Sequence, residues 1–250
     1  MEELNTLRAI LRNSEDYPPA KSARTSREPP NDEHGRMELP PSSFVLQVLG
    51  TLKGYHREER ILHLPPVEAQ RARRLFWSIF MFDKNLSLRL GRAPTIQDYD
   101  VDVKQCGPSQ DPSDLPWDQV FAALIELSRL QAQIYQLLYS PSSNALDTKN
   151  RQAMIEDLKA NLSDWYDGWK QIDTSNAHCK EILSSVLGPS EVTYYSVLTI
   201  LHRSANLSNS VQDIVPDCFE AARQGLHAHL ARWPHTISAG MPVTSLYGVW

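Results

Sequence analysis

Apolar residues recur every three or four positions along most of the chain, which is the spacing of one face of an α-helix. The best-marked helix follows Pro65 and Pro66, since proline suits the first helical turn. Its main stripe comprises Ala72, Leu75, Ile79, Phe82, Leu86 and Leu90, widened by Phe76 and Phe80, with Trp77 and Met81 on the other side. Apolar groups around most of the helix predict burial on several sides. Gly91 and Pro94 predict that the helix ends there.

Helical spacing continues on both sides of this element. An earlier helix is predicted over Val45, Val48, Leu49, Leu52 and Tyr55. Later ones are predicted over 117–138, 154–172, 192–205 and 218–233, with a short one over 174–187. Ser190 is the expected N-cap of the helix over 192–205. Because no alternating segment is long enough to build a sheet, the predicted fold class is all-α, a multi-helix bundle or helical array.

Residues 95–103 are the exception to helical spacing. Tyr99, Val101 and Val103 alternate with Asp98, Asp100 and Asp102. Period two predicts an extended segment with its apolar face buried.

The two ends of the chain carry weaker patterns. Residues 1–14 fit a short helix, and 15–43 are rich in Pro, Ser and Arg, which predicts a flexible, disordered linker. We therefore divide the chain into an N-terminal segment, 1–42, and a helical domain, 43–250. The final residues, SLYGVW, are apolar, and we expect the natural domain to continue beyond Trp250.

Composition places the domain inside the cell. The 250 residues are 41% hydrophobic, which is enough for a sizeable core, and the net charge of −5 argues against a chain that grips DNA alone. Three distant cysteines, Cys106, Cys179 and Cys218, indicate a reducing compartment. Neither a signal peptide nor a run long enough to span a membrane is present, so no membrane association is expected.

Charge is distributed unevenly around the best-marked helix. Residues 71–92 hold six basic residues against Asp83, a balance of +5, and 94–118 hold six Asp against Lys104, a balance of −5. The basic helix could bind phosphates. The favoured interpretation is that helix and acidic loop neutralise each other within the fold, because they are adjacent in sequence.

Asp83 lies among apolar residues and allows two interpretations. A general base with a raised pKa would suit an all-helical enzyme such as a terpene cyclase, although Asp83-Lys84-Asn85 is a poor metal motif. A structural acid paired with Arg92 or another arginine, ordering the turn at Gly91, is favoured, because a buried carboxylate needs a partner.

Residues 71–103, RARRLFWSIFMFDKNLSLRLGRAPTIQDYDVDV, resemble the signature of the fungal-specific transcription factor domain, the middle homology region of zinc-cluster (Zn2Cys6) regulators. The matching residues are Arg73, Arg74, Leu75, Phe76, Trp77, Asp83, Lys84, Gly91, Arg92, Pro94, Asp98 and Asp102. Weaker similarity appears at Gly54-Tyr55-His56-Arg57 and at Leu201-His202-Arg203, where Ser204 replaces the usual proline. The resemblance covers roughly 43–235.

The resemblance implies a nuclear regulator of RNA polymerase II transcription of metabolic or secondary-metabolite genes. Such a domain responds to a small-molecule effector, to the transcription machinery or to a partner that carries a zinc cluster, and the matching residues have structural or regulatory roles. The family's DNA-binding module needs six cysteines in CxxC-type spacing, and this chain has three cysteines and no CxxC. We therefore expect no zinc or other cofactor in this chain, no direct DNA binding and no catalysis. A helical enzyme and a truncated, non-functional gene product are the alternatives.

Overall fold

Seven α-helices make up the part of the chain that the structure describes. This computed structural model describes residues 53–206 and 215–238, with side chains for 53–205 and 215–231. The helices are α1 Glu58–Leu62, α2 Pro66–Leu90, α3 Leu115–Ile134, α4 Thr148–Lys170, α5 Lys180–Leu187, α6 Ser190–Arg203 and α7 Pro216–Ser238. These ranges contain no β-strand, which confirms the all-α prediction. The predicted helix and linker over 1–43 and most of the helix over 45–55 lie outside the described residues.

The helix α2 begins and ends where the sequence predicted. Pro66 occupies the first turn with Glu68, and Gly91 is the left-handed C-cap with φ of 64°. The Gly91 and Arg92 amides donate to the carbonyls of Leu88 and Ser87, at 3.2 and 3.0 Å. This is the arrangement of a Schellman motif, which satisfies carbonyls that the helix end leaves open.

Replacing Gly91 with Ala tests that cap. A Cβ at Gly91 would meet no atom within 4 Å, so the cost comes from the left-handed backbone alone. We expect a loss of about 1 kcal/mol in the free energy of unfolding, measured by urea denaturation. The matched control is Gly168→Ala in α4, where φ is helical and space is open. It should stabilise the protein by about 0.5 kcal/mol, and equal effects at both sites would contradict the account.

The main core lies where α3, α4 and α6 meet, and α2 and α7 each contribute one buried residue to it. Its fully buried members are Leu127, Ile134, Leu138, Ile155, Leu158, Leu162, Val197 and Leu201. Two long side chains tie the helices by hydrogen bonds as well as packing. The Trp165 indole donates to the Ala123 carbonyl at 2.7 Å, and the Tyr139 hydroxyl donates to the Ile200 carbonyl at 2.6 Å.

The helix α3 continues into one π-helical turn, Tyr135–Tyr139, which the sequence did not predict. A 3₁₀ turn, Pro141–Ala145, follows it, and Arg151 of α4 donates to one carbonyl in each of the two turns. The buried guanidinium donates to the carbonyls of Leu138 and Ser143, at 3.0 and 2.7 Å. An arginine that apolar spacing would place on a surface is therefore part of the interior.

Three local predictions were wrong. On α2, Phe82 and Leu90 of the predicted main stripe are exposed, and Leu88, outside that stripe, is buried. At α6, the helix begins at Ser190 itself, and the N-cap position is Pro189, without a side-chain cap. In 95–103, Asp98–Asp100 form a 3₁₀ turn that leaves Tyr99 89% exposed. Only Ile96 and Val103 of that segment are buried.

Candidate regulatory site

The residues of the sequence signature fold into a junction between α2 and the loop that follows it. We call it the signature junction and define it by Glu58, Arg73, Asp83, Lys84, Asp98 and Asp102. Its acidic and basic groups sit on α1, on α2 and in the loop 95–104, and they contact one another.

Asp83 and Lys84 hold the two sides of one stretch of backbone. The Asp83 carboxylate, 0% exposed, accepts the amide N–H groups of Thr95 and Ile96, each at 2.9 Å. The Lys84 ammonium, 1% exposed, donates to the Ile96 carbonyl at 2.6 Å and pairs with Asp98. The turn at Gly91 and Pro94 brings residues 95–96 back along α2 to this point.

The pairing of Asp83 with Arg92 that the sequence predicted is wrong. Arg92 is exposed and forms no ion pair among the described side chains of 53–205 and 215–231. Backbone N–H groups hold both oxygens of the Asp83 carboxylate, as they commonly do for a buried acid. These bonds tie α2 to the loop at Thr95 and Ile96.

Arg73 reaches back to α1 rather than forward to the acidic loop. Its guanidinium donates from two nitrogens to the Glu58 carboxylate, which also accepts the Lys104 amide at 2.9 Å. The hydrogen bonds from Arg73 lower the pKa of Glu58 despite the opposing effect of burial. Sequence reasoning missed Glu58, since nothing near it in sequence indicates a partner 15 positions away.

The acidic segment 98–104 is held to the start of the domain. Asp102 accepts the Glu58 amide at 2.7 Å, and Arg57 pairs with Asp100. The amides of Asp102 and Val103 both donate to the His56 carbonyl. These bonds place Gly54-Tyr55-His56-Arg57, the weaker upstream similarity, beside the signature itself.

Arg74 closes the other end of the loop. It donates to Asp118 of α3 at 2.7 Å, and Asp118 also accepts the Ser109 amide at 2.7 Å. Burial tends to raise the pKa of Asp118, but these hydrogen bonds lower it overall. This pair and the pair of Lys84 with Asp98 join the basic helix to the acidic loop as predicted, whereas Arg73, Arg89 and Arg92 form no ion pair with that loop in the described residues.

Trp77 is the apolar centre of the junction. It is 2% exposed and contacts Phe76 and Phe80 edge-on, with ring centroids 5.3 and 5.1 Å apart. Its indole donates to the Lys104 carbonyl at 3.1 Å. Leu75, the remaining apolar signature residue, is only half-buried.

The downstream similarity, Leu201-His202-Arg203, lies on α6 away from the junction contacts. His202 is 5% exposed, and burial lowers its pKa below 6.5, with Asp217 opposing. The unfolded chain therefore takes up a proton near pH 6.5 while the folded chain stays neutral. The contribution of neutral His202 to the free energy of unfolding is therefore complete above pH 6.5. It is lost as the pH falls from 6.5 toward the lower pKa of His202 in the folded chain.

Replacing His202 with Leu removes this proton uptake. We expect the urea midpoint of the variant to depend less steeply on pH below 6.5 than that of the parent chain. The control is His63→Leu at an exposed position, which should leave the slope unchanged. Identical slopes for the parent chain and His202→Leu would contradict the assignment.

A cavity of about 140 Å³ opens between α2, α3 and α6, next to the junction. Its walls are mainly apolar. They consist of Ser78, Met81, Phe82, Asn85, Leu124, Leu127, Ser128, Gln131 and Thr193. None of these residues was singled out as a site residue from the sequence, because their separation along the chain hides their proximity.

Within the described ranges, no group of three His, Cys, Asp or Glu side chains could hold a metal ion. No helix there is long and apolar enough to cross a membrane.

The described residues form an all-helical domain in which the charged motif residues Arg73, Asp83 and Lys84 tie α2 to α1 and to the loop 95–104. The chain belongs to the fungal-specific transcription factor domain family, whose family model matches residues 42–167. The comparisons therefore favour a transcription regulator over the helical enzyme considered above.

The chain is similar to several fungal transcription regulators. The ABC-transporter-regulating transcription factors of Aspergillus oryzae and Aspergillus fumigatus are each 28% identical over 181 residues, covering 65% of this chain and 20% of the relative. An uncharacterized transcriptional regulatory protein of Schizosaccharomyces pombe is 27% identical over 203 residues, covering 72% of this chain and 26% of the relative. The chain thus spans a fifth to a quarter of the length of these relatives. No solved structure matches it.

Proposed function

We propose that this chain is the regulatory part of a nuclear transcription regulator, which senses a small effector or a protein partner and controls RNA polymerase II transcription of metabolic genes. Family membership over residues 42–167 carries the proposal. The chain itself has no CxxC motif, so contact with DNA would come from a partner or from another part of a longer protein.

The signature junction supports a regulatory rather than a catalytic role. Its acids and bases neutralise each other in pairs, such as Arg73 with Glu58 and Lys84 with Asp98. The junction therefore fixes the position of α2 against the loop 95–104, and α2 in turn forms one wall of the cavity. A domain built in this way can pass a change at the cavity to the surface of the loop.

A tethered reporter assay tests the proposal. The chain is fused to an unrelated DNA-binding domain and expressed in a fungal cell beside a reporter gene that carries the matching operator. We expect transcription to change several-fold relative to the DNA-binding domain alone, and to change again with growth condition. The untethered chain should leave the reporter unchanged.

Two variants test whether the effect depends on the intact junction. Asp83→Ala, which disrupts the junction, should abolish the effect, and Tyr99→Ala, at an 89% exposed side chain, should retain it. A fluorescent fusion reports whether the chain reaches the nucleus. A nuclear, abundant and folded chain that never alters the tethered reporter would overturn the proposal.

A further inference from the structure

We infer that the cavity between α2, α3 and α6 binds a small aromatic carboxylate, with the ring among the apolar walls and the carboxylate at Asn85 and Arg89. The inference deepens the proposed function, since it gives the chemical class of the effector. It rests on the size of the cavity, on the residues that line it, and on two hydrogen bonds that occupy the Asn85 oxygen. These bonds leave N–H donors of Asn85 and Arg89 for a ligand.

The volume limits the ligand to about one ring. The cavity measures about 140 Å³, whereas pockets for drug-sized ligands occupy roughly 300–1,000 Å³. An engineered apolar cavity of about 150 Å³ in another protein holds one benzene molecule. Leu124, Leu127, Met81 and Phe82 supply the apolar contacts that a ring of this size requires.

Polar groups follow one another from the interior of the cavity to its mouth. Gln131 of α3, 2% exposed, donates from its amide nitrogen to the Asn85 oxygen at 3.3 Å. Arg89, an exposed residue one turn further along α2, donates from Nε to the same oxygen at 2.9 Å. Asn85, half-buried, stands between them and lines the cavity.

These two bonds decide what Asn85 offers to a ligand. Both neighbours are N–H donors, so the atom that faces them must be the amide oxygen. The amide nitrogen of Asn85, a donor, is then left for a ligand. The terminal nitrogens of Arg89 are also donors, and Arg89 forms no ion pair within the described ranges.

A mouth that presents an amide donor and a guanidinium favours an acceptor with negative charge. A carboxylate fits both, because guanidinium and carboxylate form charge-assisted hydrogen bonds. The deeper polar group, Gln131, keeps its amide oxygen and one N–H and carries no charge, so the guanidinium end is the better match for a carboxylate. The ligand is therefore oriented with its ring inside and its charge at the mouth.

Three other basic groups of α2 and α3 are already paired. Lys84 is bound to Asp98, and Arg74 is bound to Asp118. Arg129, over the Trp77 ring, pairs with Glu126. Arg89, by contrast, is bonded to Asn85 of the cavity wall, which places its charge for an anion there.

Isothermal titration calorimetry of the full 250-residue chain at low salt tests the inference, with sodium benzoate as the probe. Benzyl alcohol carries the ring without the charge, and sodium acetate carries the charge without the ring. We expect benzoate to bind at least about tenfold more tightly than either, the smallest loss typical of a missing charge-assisted hydrogen bond. Benzoate should also raise the melting temperature.

Matched arginine variants locate the charge. Arg89→Gln should lower benzoate affinity to that of benzyl alcohol, and leave the affinity for benzyl alcohol unchanged. Arg92→Gln, also exposed at the end of α2, should change neither. Both positions are on the surface, so both variants should fold. Ser128→Leu, which fills the cavity, should abolish binding of both aromatic probes.

Three outcomes would overturn the inference: no benzoate binding at millimolar concentration, equal affinity for benzoate and benzyl alcohol, or an Arg89→Gln variant that binds benzoate as the parent does. The tethered reporter distinguishes this failure from failure of the proposed function. If the chain controls the reporter but does not bind benzoate, only the proposed ligand class is wrong. If it binds benzoate but never changes transcription, the proposed regulatory function is wrong.

Discussion

Trp77→Ala should lower the free energy of unfolding by about 3–5 kcal/mol, the usual range for removing a buried tryptophan or phenylalanine side chain. Trp77 is 2% exposed, and the void would lie between Phe76, Phe80 and the guanidinium of Arg129. The Lys104 carbonyl would also lose its indole donor. Urea denaturation followed by far-UV circular dichroism measures the change.

Tyr99→Ala is the matched control for Trp77→Ala. Both remove a large aromatic side chain from the signature, but Tyr99 is 89% exposed. Its loss should change the free energy of unfolding by less than about 0.5 kcal/mol. A loss below about 1 kcal/mol for Trp77→Ala would show that the indole contributes little to the core.

Asp83→Ala has the second large effect, for a different physical reason. The substitution leaves the amides of Thr95 and Ile96 without the carboxylate that accepts their hydrogen bonds. The bond from Ile96 is buried, and the bond from Thr95 is partly buried. Each lost bond to a charged group costs about 1.5–3 kcal/mol, so we expect a total loss of about 3–5 kcal/mol. Urea denaturation measures it, and hydrogen exchange should be faster at these two amides.

Two further variants define the origin of that loss. Asp83→Asn keeps the shape and one acceptor oxygen, so it should cost clearly less than Asp83→Ala. Asp157→Ala removes an exposed acid from α4 and should change stability by less than about 0.5 kcal/mol. If Asp83→Ala were as mild as Asp157→Ala, the carboxylate would not order the loop.

Sequence predicted the features that depend on neighbouring residues. The start of α2 at Pro66 and its end at Gly91 are set by local backbone chemistry, and both were confirmed. The all-α class follows from helical spacing repeated over many elements. The burial of Trp77 and the structural role of Asp83 also followed from their apolar surroundings.

Tertiary contacts explain what sequence could not predict. On α2, the exposure of Phe82 and Leu90 depends on which sides the loop 95–104 and the other helices cover, and apolar spacing alone does not show this. The loop itself bends at Asp98–Asp100 because Lys84 and Arg57 hold its acids. The contacts of Glu58 and the cavity beside Gln131 are formed by residues that are distant in sequence, so no local sequence pattern marks them.

The clamp of Asp83 and Lys84 on the backbone at Ile96 also affects the order in which the chain can fold. Its bonds join residues 12 to 14 positions apart, whereas the bonds from Glu58 to Asp102 and Lys104 span 44 and 46 positions. Contacts between near neighbours require less loop-closure entropy, and closing the first loop shortens the effective length of the second. During synthesis, residues 83–98 can therefore close once they leave the ribosome, before α3 has emerged from it.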